Sequence, residues 1–309
     1  MISMKGKSVL TLHDLSSEEI FQILKTAEIL KMKHLIGEPH PLLQGKTLGM
    51  IFQKPSLRTR VSFETGMTQL GGHAIYLGPD DISLGKRETT EDIAIVLSRY
   101  VDAIMARVFG HEIVADMAKY ARVPVINGLS DFAHPCQILG DLLTIQEHKL
   151  RLSGVKVAFV GDGNNVANSL LYGAAKVGTH VTIASPPGYE VNANVLAEAR
   201  QDAVLTGAQL HTTHDPVAAV KGADVVYTDV WASMGQEHEQ EARKKVFQDY
   251  QVNLTLLNNA KSDVIFMHCL PAHYGEEVTY EVAKDPRSVI YDQAENRMHA
   301  QKAILVLVV

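Results

Sequence analysis

Two cysteines are all that the 309-residue chain contains, Cys136 and Cys269, and they stand far apart in no CxxC pattern. A disulfide framework, a local redox couple and a zinc cage therefore lack sequence support, and each cysteine reads as a single thiol. No apolar run approaches the roughly 18 to 20 residues that cross a bilayer, the longest clean stretch being Ile304 to Val309, so a membrane span is not expected. Met1 to Leu12 carries Lys5 and Lys7 but no apolar stretch of signal-peptide length, which makes the cytoplasm the expected address. No run of five lysines or arginines occurs, and 29 basic against 35 acidic residues leave a net charge of -6. A nucleic-acid partner is thus not expected, and an anionic ligand would have to be held by local positive charge. Proline is sparse, 11 residues beside 22 glycines, and the 46 % apolar share is that of an ordinary globular chain. At roughly 150 residues per domain the length suggests about two domains.

What is present is a rhythm. From Thr47 onward, short runs rich in β-branched residues alternate with segments of helical period. The pattern predicts strands at Thr47–Phe52, Ala74–Leu77, Asp102–Ala106, Val123–Asn127, Lys156–Val160, Val181–Ser185, Gln209–Thr212, Val225–Thr228, Val264–His268 and Val289–Asp292. The expected fold class is α/β, with two domains that are each a parallel sheet flanked by helices. Pro135–Lys149, with Ile138, Leu139, Leu142, Leu143 and Ile145 in a helical stripe and proline at its first position, reads as the helix joining them. The expected division is 1–148 and 149–294, with a C-terminal helix over 295–309 packing back on the first domain.

Ligands of open parallel sheets sit beyond the carboxyl ends of the strands, so the residues there are the ones to weigh. After the first strand, Pro55 and Ser56 open a helix whose free N–H groups, with Ser56, Thr59 and the planar fork of Arg58, suit a phosphate. Helical geometry turns Arg58 and Arg60 nearly opposite ways, which points Arg58 at the ligand and leaves Arg60 to an ion pair. A capped surface helix with solvated arginines is the plainer reading of the same residues. His134 and Gln137, at the opening of the connecting helix, could reach one carbonyl or amine, or could be no more than a cap and a solvated amide. Cys136 between them reads as a packed small hydrophobe. Gly161-Asp162-Gly163 starts like a dinucleotide fingerprint, yet Val166 occupies the third glycine position and Ser185-Pro186-Pro187 replaces the acidic ribose ligand. A plain turn leading to a helix, with Asn164, Asn165 and Asn168 available for a polar substrate, is the expected reading. Asp229 and Ser233 are the informative members of their loop, and Cys269 reads either as a thiol near a substrate amine or as a core residue.

Ser56-Leu57-Arg58-Thr59-Arg60, Arg107, His134-Pro135-Cys136-Gln137, Asp229 with Ser233-Met234-Gly235, His268-Cys269-Leu270-Pro271 and Arg297 resemble, in order and spacing, the aspartate and ornithine carbamoyltransferases. The likeness runs over nearly the whole chain. Ser-x-Arg-Thr-Arg and His-Pro-x-Gln are common to that family, whereas Ser-Met-Gly and His-Cys-Leu-Pro mark its ornithine branch. The resemblance implies a homotrimer, with carbamoyl phosphate on the first domain and L-ornithine on the second, and transfer of the carbamoyl group to the δ-amine to give citrulline and phosphate. It implies no cofactor and no metal. Carried over, Ser56, Leu57, Arg58, Thr59 and Arg107 hold the phosphate; Arg107, His134, Gln137, Arg297, Cys269 and Leu270 surround the carbamoyl group; Asn168, Asp229, Ser233 and Met234 hold ornithine. Leu57 replaces a threonine of many relatives, which a backbone N–H contact tolerates. Ser83 stands where many place a Gln or His that reaches a neighbouring subunit's phosphate site.

Overall fold

Val, Ile and Ala crowd the short apolar runs, and in the computed structural model those runs pair into two separate parallel sheets. The structure describes residues 2–82, 88–232 and 239–309. The chain divides into two compact units, Met1–Leu143 with Glu295–Val309, and Thr144–Ala294.

In the first unit the elements run α1 (Ser17–Leu35), β1 (Thr47–Phe52), α2 (Leu57–Gln69), β2 (His73–Leu77), α3 (Pro79–Ile82), α4 (Thr90–Leu97), β3 (Ala103–Arg107), α5 (His111–Tyr120), β4 (Val125–Leu129) and the start of α6 (Pro135–Lys149). The sheet order is β2-β1-β3-β4, all parallel, so the chain reverses its direction of winding between β1 and β3. In open parallel sheets ligands bind at such a switch point, outside the carboxyl ends of the strands. β1 and β3 are buried almost throughout, as strands covered on both faces must be.

In the second unit follow β5 (Lys156–Val160), α7 (Asn165–Val177), β6 (His180–Ala184), α8 (Ala193–Asp202), β7 (Leu210–Thr213), α9 (Pro216–Val220), β8 (Val225–Thr228), α10 (Gln240–Val246), α11 (Leu254–Leu257), β9 (Ile265–His268), α12 (Tyr280–Ala283) and α13 (Ile290–Val308). Its order, β7-β6-β5-β8-β9, puts the switch point between β5 and β8. The core here gathers Val160, Val226, Trp231, Phe247, Leu257 and Phe266, with Trp231 stacked on Phe247 at 5.7 Å.

The expected fold class holds. One predicted strand does not: Val289–Asp292 makes no strand, and helix α13 starts at Ile290, five residues before the expected Glu295. The β-branched run misled because Val289 and Ile290 are buried for a different reason. Backbone pairing with β9 is limited to Phe266 N–H to Arg287 O and Val289 N–H to Phe266 O, after which the chain turns into the helix.

From Glu295 onward α13 belongs to the first unit, and a close approach holds it there. A Cβ on Gly140 would lie 2.9 Å from Arg297 Cα and 3.0 Å from Arg297 N, so only glycine lets α6 and α13 pack backbone to backbone. One turn further along, the buried Lys302 donates to His40 Nε2 and Gln69 Oε1, both at 2.7 Å. Burial pulls the Lys302 amine down to about 8.

Candidate active site

Two groups of side chains lie beyond the strand ends, one in each unit. In the first, β1 ends at Phe52 and Ser56 caps α2, its hydroxyl accepting from Thr59 N–H at 3.4 Å. The side chain of Leu57 points outward, 76 % exposed, which leaves the backbone as its contribution. Thr59 is fully buried, and its hydroxyl receives two guanidinium groups: Arg297 Nη2 at 2.5 Å and Arg107 Nη1 at 3.4 Å. Arg107 is the last residue of β3, where a register shift between Ala106 and Arg107 interrupts the pairing with β4. Such irregularities re-aim a side chain at a strand end.

His134 precedes α6 and is buried. Burial first, then the charges of Arg297, Arg107 and Arg58, hold its imidazole well below the ordinary histidine range. The ring is therefore neutral at physiological pH, a donor and an acceptor among cations. Gln137 donates through Nε2 to the buried Asp141 at 2.8 Å, and its Oε1 has no hydrogen-bond partner among the described residues. The amide thus presents a carbonyl, the half that would accept from an N–H of a ligand. Asp141 escaped the sequence reading, although the i, i+4 spacing on α6 was there to be seen. Arg60 turns away, pairing with Glu64 at 2.9 Å and lying 3.9 Å over the Tyr76 ring. Cys136, fully buried and pushed up to about 12 chiefly by that burial, is an inert packing thiol.

In the second unit the group straddles the ends of β5, β8 and β9. Asn164 caps α7, its Oδ1 accepting from Val166 and Ala167, while its Nδ2 donates to Asp229 Oδ2 at 2.8 Å. Asp229 Oδ1 accepts from its neighbour Val230 N–H and from the Cys269 thiol, each at 2.8 Å. Among the described residues three donors thus fix one buried carboxylate, none of them a formal cation. Asn168 lies buried in the first turns of α7. Ser233 and Met234, like Ser83 of the first unit, fall outside the described residues. Asp162 pairs with the buried Arg243 at 3.1 Å, yet its pKa is raised to about 6, because burial and the nearby Asp229 outweigh that partner.

Two further arrangements bear on the chemistry. The ligand atoms of Asp229, His268 and Cys269 lie within 4.8 Å of one another, a grouping that spacing alone did not expose. Each is engaged with hydrogen: Cys269 S–H on Asp229, and Leu270 N–H on His268 Nδ1 at 2.9 Å. The dinucleotide-like turn is closed to a pyrophosphate. A Cβ on Gly163 would fall 2.3 Å from Val191 N, and Gly163 N–H donates to Tyr189 O, so backbone fills the space that a nucleotide would need.

Comparison with known proteins gives these groups a family. Residues 7–147 match the aspartate/ornithine carbamoyltransferase carbamoyl-P binding domain, and residues 153–308 match the Asp/Orn binding domain of the same enzymes. The chain belongs to the aspartate/ornithine carbamoyltransferase family. It is 59 % identical to an anabolic ornithine carbamoyltransferase of Pyrococcus furiosus over 308 residues, 100 % of this chain and 98 % of that protein. It is 58 % identical to an ornithine carbamoyltransferase of Halalkalibacterium halodurans, over 99 % of this chain and 96 % of the other. The solved structure of the ornithine carbamoyltransferase from Pyrococcus furiosus superposes with a TM-score of 0.97, covering 100 % of this chain and 98 % of that one. The family resemblance read from the motifs is borne out.

Proposed function

We propose that this member of the family transfers the carbamoyl group of carbamoyl phosphate to the δ-amine of L-ornithine, giving L-citrulline and phosphate. The observation that carries the reading is the convergence of Arg107 and Arg297 on the Thr59 hydroxyl at the start of α2, beside a His134 kept neutral. A helix N-terminus with two fixed guanidinium groups is a place for a phosphate and for the charge that develops as it leaves. Ser56, Leu57, Arg58, Thr59 and Arg107 are assigned to the phosphate. Arg107, His134, Gln137 and Arg297 are assigned to the carbamoyl group, with Cys269 and Leu270 from the second unit.

Ornithine is assigned to Asn168, Asp229, Ser233 and Met234, the Asp229 carboxylate accepting from the α-ammonium. The neutral δ-nitrogen attacks the carbonyl carbon, and a C–N bond forms as the carbonyl becomes an oxyanion met by Arg107, Arg297 and His134. The C–O bond to phosphorus then breaks, and the departing phosphate takes the proton released from the amine. No step calls on a cofactor. A homotrimer in the cytoplasm completes the proposal, since a phosphate site built on one helix end and two arginines leaves a side for a neighbouring subunit to cover. The test is citrulline formation from carbamoyl phosphate and L-ornithine, with putrescine and L-aspartate as competing amines. Turnover of ornithine at least about a hundredfold above both, in kcat/KM, is expected from the buried partners that the other amines would leave unpaired. Equal use of putrescine would overturn the assignment of Asp229.

A further inference from the structure

Beneath the turn after β9 lies a buried chain of hydrogen bonds through His268 and Glu277, two residues that none of the assignments above uses. His268 and Glu277 both have fully buried side chains, and His268 Nε2 is 2.9 Å from Glu277 Oε1. The same Oε1 accepts from His273 N–H at 2.6 Å, while Oε2 has no hydrogen-bond partner among the described residues. On the other side of the ring, Nδ1 accepts from Leu270 N–H at 2.9 Å. That residue holds φ at 57°, in the left-handed region that a leucine adopts only where its surroundings dictate it.

These contacts fix the tautomer. Nδ1 can accept from Leu270 only if it carries no hydrogen, so the ring proton must sit on Nε2 and face an acceptor. Glu277 supplies that acceptor. Without it, the proton could move to Nδ1, where it would point at the Leu270 N–H and set donor against donor. We propose that Glu277 is a positioning residue: through the tautomer of His268 it holds the Cys269–Leu270 turn in the conformation that the transfer needs. The proposal rests on the assignment of Cys269 and Leu270 to the substrates, and it adds a residue with no place in the motifs. Two donors converge on Oε1, and the backbone N–H of His273 cannot reverse, so a glutamine at this position is obliged to keep its carbonyl there.

The experiment uses the full-length protein and two readouts. One is alkylation of Cys269 by iodoacetamide, followed by peptide mass spectrometry, with the fully buried Cys136 as the unreactive internal control. The other is kcat beside the Kd for carbamoyl phosphate. Glu277→Leu should change the Cys269 alkylation rate by about fivefold or more, as the thiol loses its setting. It should lower kcat by about a hundredfold, the size expected when a reacting group is misplaced by an ångström, and leave the Kd within about threefold. Glu277→Gln should restore both to within about threefold of wild type, because the acceptor is kept. Two conservative variants of the ring serve even if Glu277→Leu does not fold. His268→Asn retains an oxygen near Nδ1 and should keep Cys269 reactivity; His268→Gln retains only a group near Nε2 and should not. Damage by Glu277→Gln equal to that of Glu277→Leu, or the reverse order of the two His268 variants, would overturn the proposal. An absence of citrulline from the wild-type protein would instead refute the proposed reaction, while the alkylation series would still decide the role of Glu277.

Discussion

The two groups at the strand ends hold their central oxygens by opposite means. In the first unit a neutral hydroxyl, Thr59, is surrounded by arginines, and the adjoining histidine is kept uncharged by them. In the second a carboxylate, Asp229, is surrounded by an amide, a backbone N–H and a thiol, with no guanidinium or ammonium hydrogen-bonded to it among the described residues. A surplus of fixed positive charge is suited to a ligand that brings negative charge and releases more of it. A carboxylate stabilised by neutral donors keeps its own charge for a cationic ligand, whereas a salt bridge would have cancelled it. The difference between the units is thus one of which partner is expected to arrive with the missing charge.

Breaking the comparison on its cationic side should cost most. Arg107→Gln is expected to lower kcat/KM by about a hundred- to a thousandfold, the loss seen when one fixed donor to a developing oxyanion is removed. Steady-state kinetics beside a thermal melt would check it, and a variant that melts early but turns over normally would contradict it. Asp229→Asn comes next. It keeps the shape and removes the charge, so kcat/KM for ornithine should fall by about tenfold to a hundredfold, the range of a lost charge-assisted bond. Carbamoyl phosphate affinity, measured by calorimetry, should hardly change.

Acid should act on the two units with opposite sign. His134 has a folded pKa below its unfolded value of about 6.5, so its stabilising contribution is present above that pH and is lost as pH falls. Asp162 is raised to about 6, so it contributes most below its unfolded value near 4, and that contribution disappears as pH rises through about 6. Its size is about 1–3 kcal/mol, reckoned from a shift of about two pKa units in a mostly buried group. Between about pH 7 and 5, hydrogen exchange should therefore show the α6 start losing protection relative to a His134→Asn variant. Over the same window the β5–α7 turn should gain relative to Asp162→Asn. The same sign in both would refute the assignment of causes. The smallest effect belongs to Arg60→Ala. Its exposed pair with Glu64 and its place over Tyr76 predict less than about 1 kcal/mol of stability, read from urea melts, and unchanged kinetics. Equal kinetic damage from Arg58→Ala and Arg60→Ala would refute the facing of the two arginines.

Much of this was legible in the sequence because it is local. Strand ends, proline, capping serine and asparagine sit next to the residues that they position, and Ser56, Thr59, Arg107, His134 and Asp229 all stand at or just beyond such ends. What the sequence hides is reciprocal contact across long separations. Nothing near Gly140 says that Arg297 will press against it, and even across only nine residues nothing near Glu277 says that it will face His268. Lys302 looks like one charge in an amphipathic tail until His40 and Gln69 close around it. Val289–Asp292 failed for the converse reason, since β-branched composition reports burial and does not separate a strand from the first turn of a buried helix.

The route of α13 carries a consequence for the order in which the protein is made. The arginine that reaches Thr59 and the backbone that packs on Gly140 both come from Glu295–Val309, yet the rest of the first unit is complete by Leu143. A nascent chain can therefore close the β2-β1-β3-β4 sheet early and must wait, with one cation missing and a groove open beside α6, until all of Thr144–Ala294 has been synthesised. The proposed phosphate site thus gains Arg297 only after the second unit has left the ribosome.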